Sequence, residues 1–472
     1  MDDAVAEQSG APEAPDATAA DAPASVATIL RRGVDFALRG TGIALVGLAS
    51  MLHFCLGVLF LEAPHDTDEW RDRVWHLAGR SLRWGLATLG ASFIKLGQVL
   101  STRPDLFPTP FIEELRLLQD RLPPFSFESA RRRIEEDLGG RLEEHFAELE
   151  REPVAAASVA QVHRGVLHDG AEVAVKVLRP DVRRKAERDG AILMWGARVA
   201  ERLHPVAAHA ELSDHVSHFV DGIVEQTDLS REIRNYATFR ENFAEFEHVR
   251  FPRVYPRLSS SRVMTMEFLR GTKVDALPPG RHRDIAERLR RVFLKMLFDD
   301  GFLHADLHPG NLMITDDGQI AIFDVGLVED LSEELLVHYI EFNKCLVMGT
   351  VADVMQYLRT YHTYVEGEVN WVKLEADVTA FAEEFRRKSA AELEMGEMIN
   401  EIFRMGREHG VRPIPEMTLI MVGVVTAEGI GKQLDPGSNS FQEVASYLVP
   451  VLTRRGMMTP ELMTAAASRM FG

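Results

Sequence analysis

Eight consecutive residues, His304-Ala305-Asp306-Leu307-His308-Pro309-Gly310-Asn311, and a later Asp324-Val325-Gly326 constrain this 472-residue chain more than any other feature. An H-x-D-x-x-x-x-N loop offers an Asp that can orient an attacking group and an Asn that can hold Mg²⁺. A D-x-G offers a second metal carboxylate, so the pattern reads as an ATP site. Between them, residues 312–315 and 319–324 are apolar-rich runs flanking Asp316-Asp317-Gly318, which predicts a β-hairpin with a tight turn. With Thr315 facing Ile320, the ladder sets Asn311 opposite Asp324. Opposed residues lie roughly 4.5–5.5 Å apart at Cα, near enough to share one ion. Two oxygen ligands with room left for phosphate and water suit Mg²⁺. The competing reading has Asp306 cap a turn, His304 and His308 bond the backbone, and Asp324 end a strand; the full spacing speaks against it.

In Val173-Ala174-Val175-Lys176 the alternation puts Val173, Val175 and Val177 on one strand face and Ala174 with Lys176 on the other. A small residue and a lysine on the cleft side let adenine lie along the strand while the ammonium reaches phosphates; the bland alternative is an edge-strand solubiliser. Glu225, Asp228 and Glu232 stand at i, i+3 and i+7 if one helix carries them. Like charges so placed repel, and facing cations make such a stripe tolerable. Lys176 is one such cation. A second is Lys95, inside an apolar helical pattern that Pro104 and Pro108 end. Snorkelling is its ordinary explanation.

These residues resemble the UbiB/ADCK-type atypical kinases, which support ubiquinone (coenzyme Q) biosynthesis. Lys95-Leu96-Gly97-Gln98 matches that family's K-x-G-Q signature, and the segment from Pro153 through Ala155, Ala156, Ala157, Ser158 and Ala160 to His163 looks like its alanine-rich loop. The Lys176 strand, Asp228 with Glu232, the two motifs above and Glu428-Gly429-Ile430-Gly431-Lys432-Gln433-Leu434 follow in family order over roughly residues 75–450. The resemblance implies an α+β, bilobal, kinase-like fold with an N-terminal helical extension carrying K-x-G-Q. It pairs Lys176 with Glu232, makes Asp306 catalytic, and gives the metal to Asn311 and Asp324. It places ATP against the alanine-rich loop, Ala174, Lys176 and Glu267, the last at the end of a strand leading to the interlobe hinge. Lys95 and Gln98 become regulatory, Lys95 meeting an E-x-D carboxylate pair over the site. Here Gln226 occupies the first E-x-D position, so either Glu225 serves beside Asp228 or Asp228 serves alone. Alanine methyls also fill space that phosphate-binding loops usually leave to glycine. That favours slow ATP turnover, or a small or lipid target, over transfer to a protein side chain.

Composition bounds the rest. The chain is 46% hydrophobic and 26% charged, and its net charge of −19 argues against broad nucleic-acid binding. Arg131-Arg132-Arg133 beside Glu135 and Glu136 reads as a solvated helix face. Cys55 and Cys345 make neither a disulfide framework nor a metal pattern, as in a reducing cytosol.

Residues 1–27 form an acidic Ala/Pro tail without Lys or Arg, too polar for a core. Residues 28–62 contain an apolar stretch, 41–61, long enough to span a bilayer. The preceding arginines would put the start of the chain in the cytosol and the ATP site outside, so an interfacial, partly inserted or body-packed helix is the preferred expectation. Residues 63–150 are a helical extension, 151–268 a small lobe and 269–472 a helical large lobe. Expected partners are ATP, the membrane surface at the cytoplasmic face, quinone-pathway lipids or enzymes, and a second copy in a homodimer. The rival functions are a small-molecule phosphotransferase of the aminoglycoside-kinase kind and a non-catalytic, nucleotide-sensing lipid scaffold.

Overall fold

The computed structural model describes residues 26–61, 67–101, 107–118, 123–203, 212–280, 282–361, 364–365, 369–387, 394–412, 414–438, 440–459 and 462. The Ala/Pro tail up to Ser25 and residues 102–106, behind the Lys95 helix, lie outside them. Residues 1–45 and 46–472 form two units. The described part of the first is the leading half of helix α1 (Val26–Leu59). Its stretch Gly33–Leu59, with hydropathy 2.1, is long and apolar enough to cross a membrane.

In the second unit, the later turns of α1 meet α2 (Thr67–Leu89), where His53 Nδ1 lies 2.7 Å from Ser81 Oγ. Leu48, Met51, Leu52, Leu56 and Leu59 remain exposed. The extension continues with α3 (Ala91–Ser101), which carries K-x-G-Q, and α4 (Thr109–Arg116). A Cβ at Gly97 would meet the side-chain ends of Leu118 and Leu86, which would have to shift to admit it. Buried Glu114 of α4 is held by Arg80 at 3.1 Å and Arg83 at 3.2 Å from α2.

Helices α5 (Phe127–Leu138) and α6 (Leu142–His145) lead into the small-lobe sheet. Its path is β1 (Glu148–Leu149), β3 (Ala160–Val166), β4 (Glu172–Leu178) and β6 (Val263–Glu267), with β2 (Ala155–Ala156) on β3. Val173, Val175 and Val177 are fully buried with Ala130, Ile134, Leu142 and Phe146, whereas Ala174 joins the larger core on the other face. Each buried valine contributes about 1.5–3 kcal/mol, so a one-residue slip, which would expose all three, is strongly disfavoured. That alternation aims Lys176 at the cleft. After β4, α7 (Val182–Leu203) and α8 (Leu212–Glu225) pack on each other, and α3 touches both. Asp228 then caps α9 (Leu229–Asn242).

A second sheet has the order β5 (Val249–Arg250), β10 (Ile320–Ile322), β9 (Leu312–Thr315) and β7 (Gly271–Lys273), so β5, from the stretch expected in the small lobe, pairs with a strand from beyond residue 268. Helix α10 (Arg283–Lys295) widens into a π turn over Met296–Asp300, and Gly301 at φ 61° ends it, leading into β8 (Phe302–His304), which pairs with β11 (Val328–Asp330). Around them stand α11 (Glu333–Met348), α12 (Val351–Tyr361), α13 (Trp371–Arg387), α14 (Met395–His409), α15 (Pro415–Leu434) and α16 (Ser440–Arg454). Strands β12 (Tyr364–Val365) and β13 (Val411–Arg412) close a satellite cluster of Met355, Leu374, Val378 and Met405. Glu428 of the E-G-I-G-K-Q-L segment is buried and accepts the backbone N–H groups of Met395 (3.0 Å) and Gly396, capping α14. The α+β expectation, with a helical extension carrying K-x-G-Q, holds.

Candidate active site

Strand β4 and helix α9 bring Lys176 Nζ to 2.9 and 2.8 Å from the two oxygens of Glu232, and the same ammonium lies 2.9 Å from Asp324 Oδ1. The Glu232 side chain is only 5% exposed, while Asp324 faces the open cleft at 56%. Burial alone would lower the lysine pKa, but Asp324 and Glu232 outweigh it and hold it above the ordinary range. Burial pushes Glu232 upward, and Lys176 opposes that shift. The Lys176 charge, helped by Lys95, holds Asp324 well below the usual carboxylate range despite the cost of desolvation.

The hairpin register differs by one residue from the sequence expectation. Ile320 pairs with Ile314, and Phe323 N–H donates to Asn311 O at 2.9 Å, so Phe323 and not Asp324 stands opposite Asn311. The cause is the turn. Thr315 N–H bonds Gln319 O, which leaves a three-residue loop, Asp316-Asp317-Gly318, with Gly318 at φ 81°. Asp324 therefore leaves the ladder and turns left-handed at φ 53°. Such a conformation costs of order 1–3 kcal/mol outside glycine. Tyr236 offsets it by accepting the Asp324 N–H at 3.0 Å, and Asn235 Nδ2 donates to Val325 O at 2.7 Å.

His304 links the two motifs. Its Nδ1 accepts the Asp306 N–H at 3.2 Å, so Nε2 carries the proton and donates to Phe323 O at 3.1 Å. Burial lowers its pKa and favours this neutral form. Asn311 Nδ2 donates to Asp306 O at 3.1 Å, which leaves Oδ1 as the end of the amide able to accept a cation. His308 accepts the Gly310 N–H at 3.1 Å; both histidines do bond backbone, as the bland reading had it.

Lys95, Ala157, Ser158, Ala160, Lys176, Glu225, Asp228, Glu232, Asp306 and Asp324 line one cleft. Other expected residues stand elsewhere. Ala155 and Ala156 form β2, Ala174 is in the core, and the Glu267 carboxylate is paired with Arg250.

A model of the ABC1 atypical kinase-like domain matches residues 117–358, and one of the UbiB helical domain matches residues 378–439. A relative described as a probable protein kinase UbiB, from Pseudomonas aeruginosa, is 35% identical over 379 residues, covering 78% of this chain and 71% of its own. Another, so described in Azotobacter vinelandii, is 33% identical over 391 residues, covering 81% and 72%. The chain belongs to the UbiB family. A solved structure from Mycobacterium tuberculosis, described as an Rv3197–erythromycin complex, matches with TM-score 0.56 at 20% identity, covering 84% of this chain and 100% of that one. That likeness supports the fold alone.

The carboxylate contact that the resemblance implies for Lys95 is not made. Residues 225–232 are not one helix: α8 ends at Glu225, and Asp228 begins α9 by accepting the Ser230 N–H at 2.9 Å. Glu225 is taken by Arg231. Among the described residues no ion pair joins Lys95 to Asp228 or Glu225, so the contacts expected there are not made; each acid has a local partner instead. Gln98 sits beside Gly97 in α3, outside the cleft lining. The residues missed from the sequence are Asn235 and Tyr236. The signal was there: 232, 235, 236 and 239 share one face of α9, and all four are buried.

Proposed function

We propose that this UbiB-family protein binds ATP with Mg²⁺ and turns it over slowly, as a phosphotransferase or ATPase acting on a small or lipid-like target in support of ubiquinone biosynthesis. The carrying observation is Lys176, held at once by buried Glu232 and by Asp324 at the cleft wall. The donor set fits the ion: Asn311 Oδ1 and the depressed Asp324 carboxylate are two hard oxygens that would hold Mg²⁺, with phosphate and water left to complete its shell. When bound, Mg²⁺ neutralises charge on the transferring phosphoryl group. Lys176 is left to balance charge on the remaining phosphates, and Asp306, oriented through its backbone by His304 and Asn311, orients the attacking hydroxyl or water. The alanine methyls of the loop crowd the cleft, which supports slow turnover.

Exposed apolar residues on α1 support attachment at the cytoplasmic membrane face. Phosphate release from purified protein, with and without Mg²⁺, tests the reading together with the quinone profile of a deletion strain. Mg²⁺-dependent release and a quinone deficit are expected. Nucleotide binding without Mg²⁺-dependent release would overturn it in favour of the nucleotide-sensing scaffold.

A further inference from the structure

The alanine-rich loop is tied to a stretch of the N-terminal extension that follows α4. Arg179, just after β4, donates Nε to Ala157 O at 2.8 Å and Nη2 to Pro123 O at 2.9 Å, with its guanidinium 5.6 Å from the Phe125 ring centre. Its own N–H bonds Val159 O at 2.8 Å. A second tie runs beneath it. Phe125 N–H donates to Gln161 Oε1 at 3.0 Å, Gln161 Nε2 donates to His163 at 2.7 Å, and His163 Nδ1 donates to Glu150 O at 2.8 Å. Gln161 and His163 are buried, and every proton in that chain has one direction only.

We infer that Arg179 is a positioning residue that locks the Ala157–Ala160 tip and the segment around Pro123–Phe125 into one rigid piece, so that the extension controls how high the loop stands over the cleft. The tip is a short turn, closed by Ala157 N–H to Ala160 O at 2.8 Å, and its residues line the cleft. A glycine loop would adjust its height by backbone rotation; this one, bearing methyl groups, moves only if its anchor moves. A guanidinium suits the task because its rigid planar fork serves two carbonyls at once, whereas a lysine ammonium is a single point of attachment on a flexible stem. The consequence for ATP rests on the function proposed above; the mechanical coupling does not.

The test is Arg179→Lys, read by hydrogen exchange on the ligand-free protein and by ATP kinetics on the same preparation. Expected is faster exchange at residues 157–160 and at 124–127 together, with KM for ATP raised about tenfold and kcat little changed, beside the fall in thermal midpoint that the lost intramolecular bond brings. A merely structural arginine would lower the midpoint and leave KM alone. Phe125→Leu, which removes the ring beside the guanidinium, gives the same paired change in smaller measure and serves if Arg179→Lys does not fold. Exchange that rises at one segment only, or at neither, overturns the coupling. Wild-type protein without ATP turnover overturns the proposed function, and the exchange data still decide the role of Arg179.

Discussion

The floor and the mouth of the cleft use the same residue types differently. On the floor, Lys176, Glu232 and Asp324 converge from a strand, a helix and a loop within 2.9 Å of one ammonium. At the mouth, Lys95, Asp228 and Glu225 line the same space, yet each acid is bound locally, by the α9 N-terminus or by Arg231. Buried Lys176 and Glu232 must meet, because an unpaired buried charge costs several kcal/mol, and Asp324 joins them from the open side; Glu225, as exposed as Asp324, has water and a near neighbour as alternatives. Spacing in sequence is thus a better guide to partners at the floor than at the rim.

The largest break in that comparison is Lys176→Met, which leaves Glu232 buried and unpaired. A loss of about 3–5 kcal/mol in urea unfolding is expected, and a loss within 0.5 kcal/mol would show that the floor is no tighter than the mouth. Next comes chemistry. Asp324→Asn and Asn311→Ala should each cost about 2.7–4 kcal/mol of barrier to Mg²⁺-dependent ATP turnover with the fold intact. Asp306→Asn should keep nucleotide binding and lose turnover. Wild-type rates in the first two variants would remove the metal assignment.

Tyr236→Phe sharpens the comparison further, since it takes away the acceptor for the Asp324 N–H. Leaving that donor unsatisfied costs about 1–3 kcal/mol, read as a lower thermal midpoint. His304 adds a pH signature. Its folded-state pKa is depressed, so its contribution is fully present above the ordinary value of 6.5 and is lost as pH falls from there through the lowered value. His304→Gln should make stability fall less steeply in that window; an unchanged slope would mean that His304 does not carry it. The smallest effect belongs to the mouth. Lys95→Met should be neutral within about 0.5 kcal/mol and additive with Asp228→Asn. With Asp324→Asn, in contrast, it should show coupling, because Lys95 contributes to holding the Asp324 carboxyl ionised.

Much of this could be read before any coordinates. Val173, Val175 and Val177 announced the buried face of β4 and sent Lys176 the other way, and the H-x-D-x-x-x-x-N and D-x-G spacings named Asp306, Asn311 and Asp324. The rest was hidden for identifiable reasons. A turn of three residues in place of two shifts a ladder by one, and Asp316-Asp317-Gly318 is compatible with either. Asp228 could be a lid carboxylate or a helix cap, since aspartate suits both, and only the break between α8 and α9 decides for the cap. Tyr236 belongs to an apolar helix face whatever it touches.

The sequence by itself therefore determined the fold class, the strand alternation and the identity of the floor residues, because burial and period act locally and leave few ways to satisfy a charged group inside. Tertiary structure alone decided that Tyr236 and Asn235 hold the Asp324 turn, that His304 joins Phe323 to Asp306, and that Arg179 reaches Pro123 and Ala157 together. Apart from the local bond of His304 to the Asp306 N–H, each of these contacts joins a side chain to a main-chain group distant in sequence. A backbone carbonyl or amide has the same chemistry at every position, so no residue pattern marks which one will be met; packing of the elements does.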